Sequence, residues 1–400
     1  MTGWPRTSPF PRCRPAPPTP APIRSLARLA LATVVVVGAF GMLNPVLAVR
    51  LQSTGHDATA IGLFAMLPFL GVALMVPLMP WLFGRLGLVP TYRLGLALEA
   101  VATLGYAASE SYPLWCVLAG IGGLGAAAVW NGTEALIAFN APPDRRGRIT
   151  GAYQTALGAA LALGPFLPSV LPLSPDGLTL LAVALLVCGL VLTAGPGVAA
   201  LRAGHGHAGG ASPFDAMRKV PALMVLAVVG GVFEAGLGSI TTAIGSGAGL
   251  TLAAAASIAG AVGIGSLLLQ YPSGWLADRV APRPLFLGAG LLLLAGSLLF
   301  LLAPRWAPMM WISAALWGAI GGTMYTLLMI RVAHEFAGTS TVTATAAMIS
   351  GYTVGGAAGP LVSGLMIDAA GVTGQALWLS GLALVACVAA SRLSPRAPSA

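Results

Sequence analysis

The stretch that decides the fold runs from Gln270 to Arg283 and reads Gln-Tyr-Pro-Ser-Gly-Trp-Leu-Ala-Asp-Arg-Val-Ala-Pro-Arg. It places one acid and two arginines between two long apolar runs, 250–270 and 284–303. Clustered charges are stable at a membrane surface and costly in hydrocarbon. Each run is about 20 residues long, which is the length that an α-helix needs to cross a membrane. The stretch is therefore predicted to be a loop between two transmembrane helices.

The composition of the whole chain indicates the same class. Of the 400 residues, 57% are hydrophobic and only 8% are charged, and the mean hydropathy is +0.88. A soluble domain carries about 25% charged residues. The 53 glycines fit helices that pack backbone to backbone in lipid. We therefore predict an all-α integral membrane protein whose surface contacts the lipid bilayer.

The net charge of +9 reflects membrane topology. Of the 20 lysines and arginines, all except Arg50 and Arg305 fall in the termini or in alternate loops of a twelve-helix arrangement. Positive residues accumulate in cytoplasmic loops, so both termini are predicted to lie in the cytoplasm, with the chain in a bacterial inner membrane. No basic run is interleaved with aromatic residues, so we expect no nucleic-acid partner.

The twelve predicted helices divide into two groups of six. We predict a disordered cytoplasmic extension over 1–25, an N-terminal bundle over 26–200, a cytoplasmic linker over 201–220, a C-terminal bundle over 221–392 and a cytoplasmic tail over 393–400. Similar features recur about 194 residues apart in the two bundles. These are Phe40 and Phe233, Arg85 and Arg279, and Gly164-Pro165 and Gly359-Pro360. Two pseudo-symmetric bundles are typical of transporters with a site between the halves.

The loop at 270–283 has the spacing Gly274-x-x-x-Asp278-Arg279-x-x-x-Arg283. This spacing resembles the signature loop of the major facilitator superfamily, which joins the second and third helices of each half. The resemblance, to twelve-helix bacterial exporter-like members, implies the major facilitator fold and a cytoplasmic gate at these four residues, with Arg85 at the matching place in the first half. A small residue lets helix ends approach, and the acid and guanidinium can pair. The alternative is an ordinary interfacial hairpin with a surface ion pair.

Glycines recur at every fourth position in the eleventh predicted helix, at Gly351, Gly355 and Gly359, followed by Pro360. Residues four apart share one face of a helix, and glycines there form a groove for a neighbouring helix. The pattern is similar to an antiporter motif that the same superfamily usually places in the fifth helix, which here keeps Gly164-Pro165. Close packing is one interpretation, and a pivot on which the halves rock is the other.

Three glutamates fall within the predicted helices, Glu99, Glu134 and Glu234. An acid near the bilayer centre costs on the order of 3 kcal/mol unless it is paired or useful. We predict that Glu234 carries a coupling proton or neutralises a cationic substrate, with a structural hydrogen-bonded acid as the alternative. Glu99 and Glu134 are further candidates, and Glu134 has a structural alternative as an ion pair with Arg145 or Arg148.

Other polar and aromatic residues are candidates for lining a cavity between the halves. They are Asn44, Asn131, Tyr153, Gln154, Gln270, Tyr325 and Tyr352. We expect the cavity to bind a small-molecule substrate without a cofactor. His205 and His207 lack a third ligand, so no metal site is predicted. The sequence has neither a phosphate-loop motif nor a hydrolase motif, which argues against an ATP-driven pump and against an enzyme.

These features predict a monomeric secondary active transporter that works by alternating access. The leading interpretation is proton-coupled export of small organic molecules, as in drug or metabolite efflux, with the proton gradient as the energy source. Uptake or facilitated diffusion of a small metabolite, such as a sugar or an organic acid, is one alternative. A non-transporting membrane sensor on the same fold is another.

Overall fold

The computed structural model describes residues 23–142, 145–201, 220–335 and 339–393, and the secondary structure there is helical. The long helices are α1 (Ile23–Ser53), α2 (Ala58–Leu86), α3 (Leu88–Ala108), α4 (Tyr112–Asn140), α5 (Arg146–Leu163), α6 (Pro175–Thr193), α7 (Pro221–Gly247), α8 (Leu252–Ala277), α9 (Pro282–Leu302), α10 (Met309–Glu335), and the segment Thr339–Ser391, which Ala370 and Gly371 break into α11 (339–369) and α12 (372–391). A 3-10 turn, Gly164–Phe166, and a further helical turn, Leu167–Val170, continue α5.

Nine helices in the described ranges are long and apolar enough to cross a membrane. This makes the chain a multi-pass membrane protein. The nine include Ala344–Ser391 as one helix, and they leave out α3 and α5, which carry charged residues within or at the start of their apolar stretches. The exact number of twelve spans therefore stays a prediction.

The first helix begins inside the predicted extension, and the division of the chain into five segments stays a prediction. The extension was predicted to reach residue 25, but α1 begins at Ile23. The reason is packing, because Leu26 and Leu29 are buried against Val198 of the N-terminal half. Most of the extension, the linker with its two histidines and the tail fall in 1–22, 202–219 and 394–400, outside the described residues.

The apolar core has a separate part in each half and a part that the halves share. Phe233 and Trp317 belong to a cluster made by the C-terminal helices. Tyr92 belongs to one made by the N-terminal helices. A third cluster joins Leu47 of α1 to Ile240 of α7. The two halves are therefore packed as distinct bundles that meet along a limited surface.

Contacts between the halves lie at one end of the bundle. We call the end that carries Asp368 the 368 face and the end that carries Asp278 the 278 face. Near the 368 face α2 packs on α11, α1 on α7 and α5 on α8. There, a Cβ atom added to Gly62 of α2 would lie 2.8 Å from the carbonyl carbon of Pro360 in the other half. The closest backbone contacts between the halves therefore lie toward the 368 face.

Candidate functional site

Glu234 lies where α7 breaks. The first part of α7 ends at Glu234 and the second begins at Gly238. Gly236, inside the break, packs closely on α11, because a Cβ atom there would lie 3.3 Å from the Cα of Gly359. Broken helices at membrane depth occur where the backbone is buried in protein or lines a cavity, and transporters place binding groups there. The apolar run predicts one continuous helix here, and the structure shows a break.

Both carboxyl oxygens of Glu234 accept hydrogen bonds from hydroxyl groups of other helices. Ser266 Oγ of α8 donates to Oε1 at 2.5 Å, and the Tyr352 hydroxyl of α11 donates to Oε2 at 2.6 Å. The ring of Tyr352 contacts Tyr325 of α10 edge to face, with centroids 5.0 Å apart. Gly322 of α10 leaves room for the carboxyl, because a Cβ atom there would lie 2.9 Å from Oε1. One acid thus connects three helices and lies against a fourth.

The structure brings three predicted residues together in this cluster, Glu234, Tyr325 and Tyr352. Sequence reasoning missed Ser266, which is 6% exposed. The available signal was the pattern of small residues around it, since Gly263 and Gly265 precede the serine and a glycine pair lies on α10. Small residues in membrane helices mark close approach, and a serine among them is placed to bond across helices.

Glu134 of α4 lies in the N-terminal half and is exposed. Its Oε1 accepts hydrogen bonds from Trp130 Nε1 at 2.9 Å and from Gln154 Nε2 at 3.4 Å. These neutral side chains hold the carboxyl group in place of the arginines that the sequence suggested. Glu134 thus belongs to the N-terminal half and Glu234 to the C-terminal half, and Tyr325 lies near both.

Glu99 of α3 lies in a different setting, inside the N-terminal half. Its side chain is 1% exposed, and neither carboxyl oxygen has a hydrogen-bond partner in the described part of the chain. It packs against α4, because a Cβ atom on Gly125 would lie 2.8 Å from Glu99 Cγ. It belongs to no metal site, since no three His, Cys, Asp or Glu side chains of the described residues come together to hold an ion.

The remaining predicted cavity residues are placed differently from one another. Gln154 and Gln270 are exposed, one in each half. Asn131 is half-buried, and its Nδ2 donates to the carbonyl oxygen of Ala127 in its own helix. Asn44 is exposed on α1. Tyr153 is only 4% exposed and packs in the core of the N-terminal half, and the cavity-lining role of these residues stays a prediction.

The predicted gate residues form stacked pairs, and the expected ion pair is not present. The guanidinium carbon of Arg279 lies 4.1 Å from the ring centroid of Trp275. Arg279 Nη1 also donates to the carbonyl oxygen of Trp275 at 2.9 Å. Arg85 lies over Trp81 at 5.6 Å, which repeats the arrangement in the other half. Asp278 forms no ion pair with Arg279 or Arg283 among the described residues. A Cβ atom on Gly274 would meet no atom within 4 Å, and the gate role of these residues stays a prediction.

The glycines of α11 lie against α7. Gly355 packs on the backbone of Val228, and a Cβ atom on Gly359 would lie 3.2 Å from the Cα of Val232. Gly351 packs on Met224 and Ala227, which also belong to α7. In the N-terminal half, Gly164 and Pro165 are buried, and Gly164 faces Gly41 of α1. Pro360 contacts Gly62 of α2, across the two halves. Close packing is therefore observed at these positions, and the pivot role stays a prediction.

Solved structures of transporters share this architecture. The nucleoside transporter NupG has a TM-score of 0.76 with 14% sequence identity over 92% of this chain and 97% of that chain. A bacterial homolog of the human lysosomal transporter Spinster, in an inward-facing and occupied conformation, has a TM-score of 0.71 with 16% identity over 94% and 96%. A D-xylose-proton symporter has a TM-score of 0.70 with 13% identity over 92% and 96%. At these identities the likeness shows the fold.

Sequence comparison gives the family. An uncharacterized MFS-type transporter of Bacillus subtilis (strain 168), YfkF, is 27% identical over 276 residues, which cover 66% of this chain and 68% of that protein. The family model of the Major Facilitator Superfamily matches residues 29–263 and 223–400. The chain therefore belongs to the Major Facilitator Superfamily of membrane transporters.

Proposed function

We propose that this transporter is a secondary active exporter of small organic molecules, driven by the entry of protons. It works by alternating access, with the two bundles rocking about a site near Glu234. The 278 face is cytoplasmic, both termini lie in the cytoplasm, and the membrane is a bacterial inner membrane. In this assignment the described conformation is open to the cytoplasm.

The observation that carries the proposal is the pair of hydrogen bonds to Glu234. Ser266 and Tyr352 each place a hydroxyl donor on one carboxyl oxygen. An ionised carboxylate accepts on both oxygens, whereas a protonated one must donate from one of them. Binding a proton therefore adds a donor to one oxygen and removes the negative charge that both hydroxyl groups bond to. Hydrogen bonds to a charged group are about twice as strong as neutral ones, so the proton changes how α7, α8 and α11 are held together.

A charge change at this point couples to access because of where the cluster lies. Glu234 terminates the first part of a broken helix, and the second part of α7 contributes Ile240 to the core that joins the halves. A rearrangement of the cluster is therefore transmitted to the surface on which the halves meet. This is the two-state element that coupling requires.

The surroundings of the acids favour substrates that carry positive charge on an apolar body. Trp130 is 44% exposed beside Glu134, and Tyr325 lies near both acids. Aromatic faces attract cations, and carboxylates neutralise them. A cationic substrate and a proton then compete for the same carboxylate, and this competition is the basis of exchange.

The test uses inverted membrane vesicles that carry the wild-type protein or the Glu234→Gln variant. A pH-sensitive probe follows an imposed proton gradient while cationic dyes, drugs, sugars and amino acids are added in turn. We expect at least one cationic compound to dissipate the gradient with the wild type. The Gln variant should lower that rate by about tenfold or more, because it cannot exchange a proton and loses charge-assisted bonds.

Glu110→Gln is the matched control, because Glu110 is an exposed acid in the loop between α3 and α4. It should behave as the wild type at equal expression. Dissipation that is equally fast in Glu234→Gln would refute Glu234 as the coupling group. Movement of a labelled sugar or organic acid that ignores the proton gradient would instead favour uptake or facilitated diffusion.

A further inference from the structure

The N-terminus of α2 is bonded by two different carboxylates. The first amides of a helix have no partner within the helix, so side chains or water must satisfy them. Asp57 occupies the N-cap position, and its Oδ1 accepts from the amide of Ala60 at 2.7 Å. The two amides before it, those of Ala58 and Thr59, bond elsewhere.

Asp368 takes up these two amides from the other half of the molecule. Its Oδ1 accepts from Ala58 N at 3.1 Å, and its Oδ2 accepts from Thr59 N at 2.7 Å and from Thr59 Oγ1 at 2.5 Å. Asp368 lies at the end of α11 and more than 300 residues away in sequence. The positive end of a helix dipole also attracts a carboxylate. The contact therefore joins the halves by three hydrogen bonds to one charged group.

The backbones of α2 and α11 approach closely beneath this contact. A Cβ atom on Gly364 would lie 2.9 Å from the Cα of Thr59, and one on Gly62 would lie 2.8 Å from the carbonyl carbon of Pro360. Small residues at these positions bring Asp368 within bonding distance of the helix end. The two helices must separate if the 368 face is to open, and the three bonds then break.

We propose that Asp368 is the latch of the 368 face, which holds the two halves together there by capping the N-terminus of α2. The latch rests on the proposed alternating access, because it acts only if the halves separate at this face. Its strength comes from complementary charge and from amides that would otherwise need water. Opening hydrates those amides, so the latch biases the equilibrium without making it irreversible.

The experiment measures the separation of the halves directly in the purified full-length protein, without substrate. Spin labels are attached at Thr54 and Ala248, exposed residues of the two halves at the 368 face. The native cysteines are replaced by alanine, and pulsed electron paramagnetic resonance gives the distance distribution. We expect one short distance for the unmodified latch. In Asp368→Asn a longer distance should gain about tenfold in relative population, the factor expected for losing one charge-assisted hydrogen bond.

Two further variants make the result specific. Thr59→Val removes only the hydroxyl bond and should cause a smaller shift in the same direction. Asp57→Ala removes the N-cap of the same helix from within its own half and should leave the distances unchanged. A distribution in Asp368→Asn identical to that of the unmodified protein would overturn the latch, as would an equal shift in Asp57→Ala, which would mean that helix capping alone is responsible.

The latch and the proposed function fail in different ways. If the protein shows no proton-coupled transport but Asp368→Asn clearly shifts the distance distribution, the export proposal is rejected and the latch is kept. Intact coupled transport with no shift in Asp368→Asn would reject the latch alone.

Discussion

Glu234 in the C-terminal half and Glu99 in the N-terminal half are both acids within transmembrane helices, and their surroundings differ. Glu234 in the C-terminal half has a hydroxyl donor on both oxygens and lies at a break in its helix. Glu99 in the N-terminal half has no donor on either oxygen in the described part of the chain and lies within the continuous helix α3. A carboxyl held by donors responds to a change of charge, whereas one without partners has no bonds to rearrange.

The difference shows that the sequence repeat does not extend to the chemistry. The offset of about 194 residues pairs Phe40 with Phe233, and both arginine–tryptophan stacks follow it. It does not pair the acids, because Glu234 is opposite Gly41 when Phe233 is opposite Phe40, and the residue opposite Glu99 is a leucine, Leu293. The two halves therefore share a scaffold, and the proton chemistry that we propose lies in only one of them.

The largest effect should come from filling the space beside Glu234. Gly322→Leu places a side chain against Ser266 Oγ, with its Cβ atom 2.9 Å from Glu234 Oε1. The cluster has to move, and overpacking of this kind costs about 3 kcal/mol. We expect no measurable transport in vesicles and a lower melting temperature in detergent.

Gly288→Leu is the control for this change, since a Cβ atom at Gly288 would meet nothing within 4 Å. It should keep both transport and melting temperature. Transport at the wild-type rate in Gly322→Leu would show that the arrangement around Glu234 does not matter for the cycle.

An intermediate effect is expected from removing one donor. Tyr352→Phe keeps the ring that stacks on Tyr325 but leaves Glu234 Oε2 without its hydroxyl bond. A hydrogen bond to a charged group contributes about 1.5 to 3 kcal/mol. Coupled transport should therefore slow by about tenfold to 100-fold when followed by gradient dissipation.

Tyr325→Phe is the matched variant, because it removes a hydroxyl from the same aromatic pair and leaves both hydrogen bonds to Glu234 in place. It should slow transport much less than Tyr352→Phe. Equal losses in the two variants would indicate that the aromatic pair, and not the bond to Glu234, sets the rate.

The sequence was sufficient for the fold because its strongest signals are physical requirements of a bilayer. Long apolar runs and charges confined to loops leave few arrangements other than a helical bundle. Glu234 could also be identified as a candidate site residue, since an acid in an apolar helix is costly unless it is paired or functional. Its partner Ser266 could not, because a serine is common in membrane helices and only the packing of α8 on α7 and α10 places its hydroxyl at the carboxyl.

At the predicted gate, a sequence motif identified the charged residues but not their partners. Asp278 and Arg279 are adjacent in sequence, and their charges suggest a pair. The structure instead places Arg279 on Trp275, a contact within one helix end. Which partner a loop residue takes depends on how far apart the halves stand, and the sequence does not specify the conformation. The contact of Asp368 with α2 escaped prediction for the same reason, since it joins residues of opposite halves.

The smallest effect should come from Glu99. Glu99→Gln keeps the size of the side chain and removes no hydrogen bond, because neither oxygen has a partner among the described residues. The free energy of unfolding, followed by the melting temperature, should therefore change by no more than about 0.5 kcal/mol, as for substitutions that break no specific interaction.

Glu99→Ala is the contrasting variant, since it leaves a cavity beside Gly125 and should lower the free energy of unfolding by more. A loss of about 2 kcal/mol or more in Glu99→Gln would mean that the carboxylate is ionised and paired in the working protein. The distinction between the two halves would then fail, because both acids would be held by bonds that a proton can break.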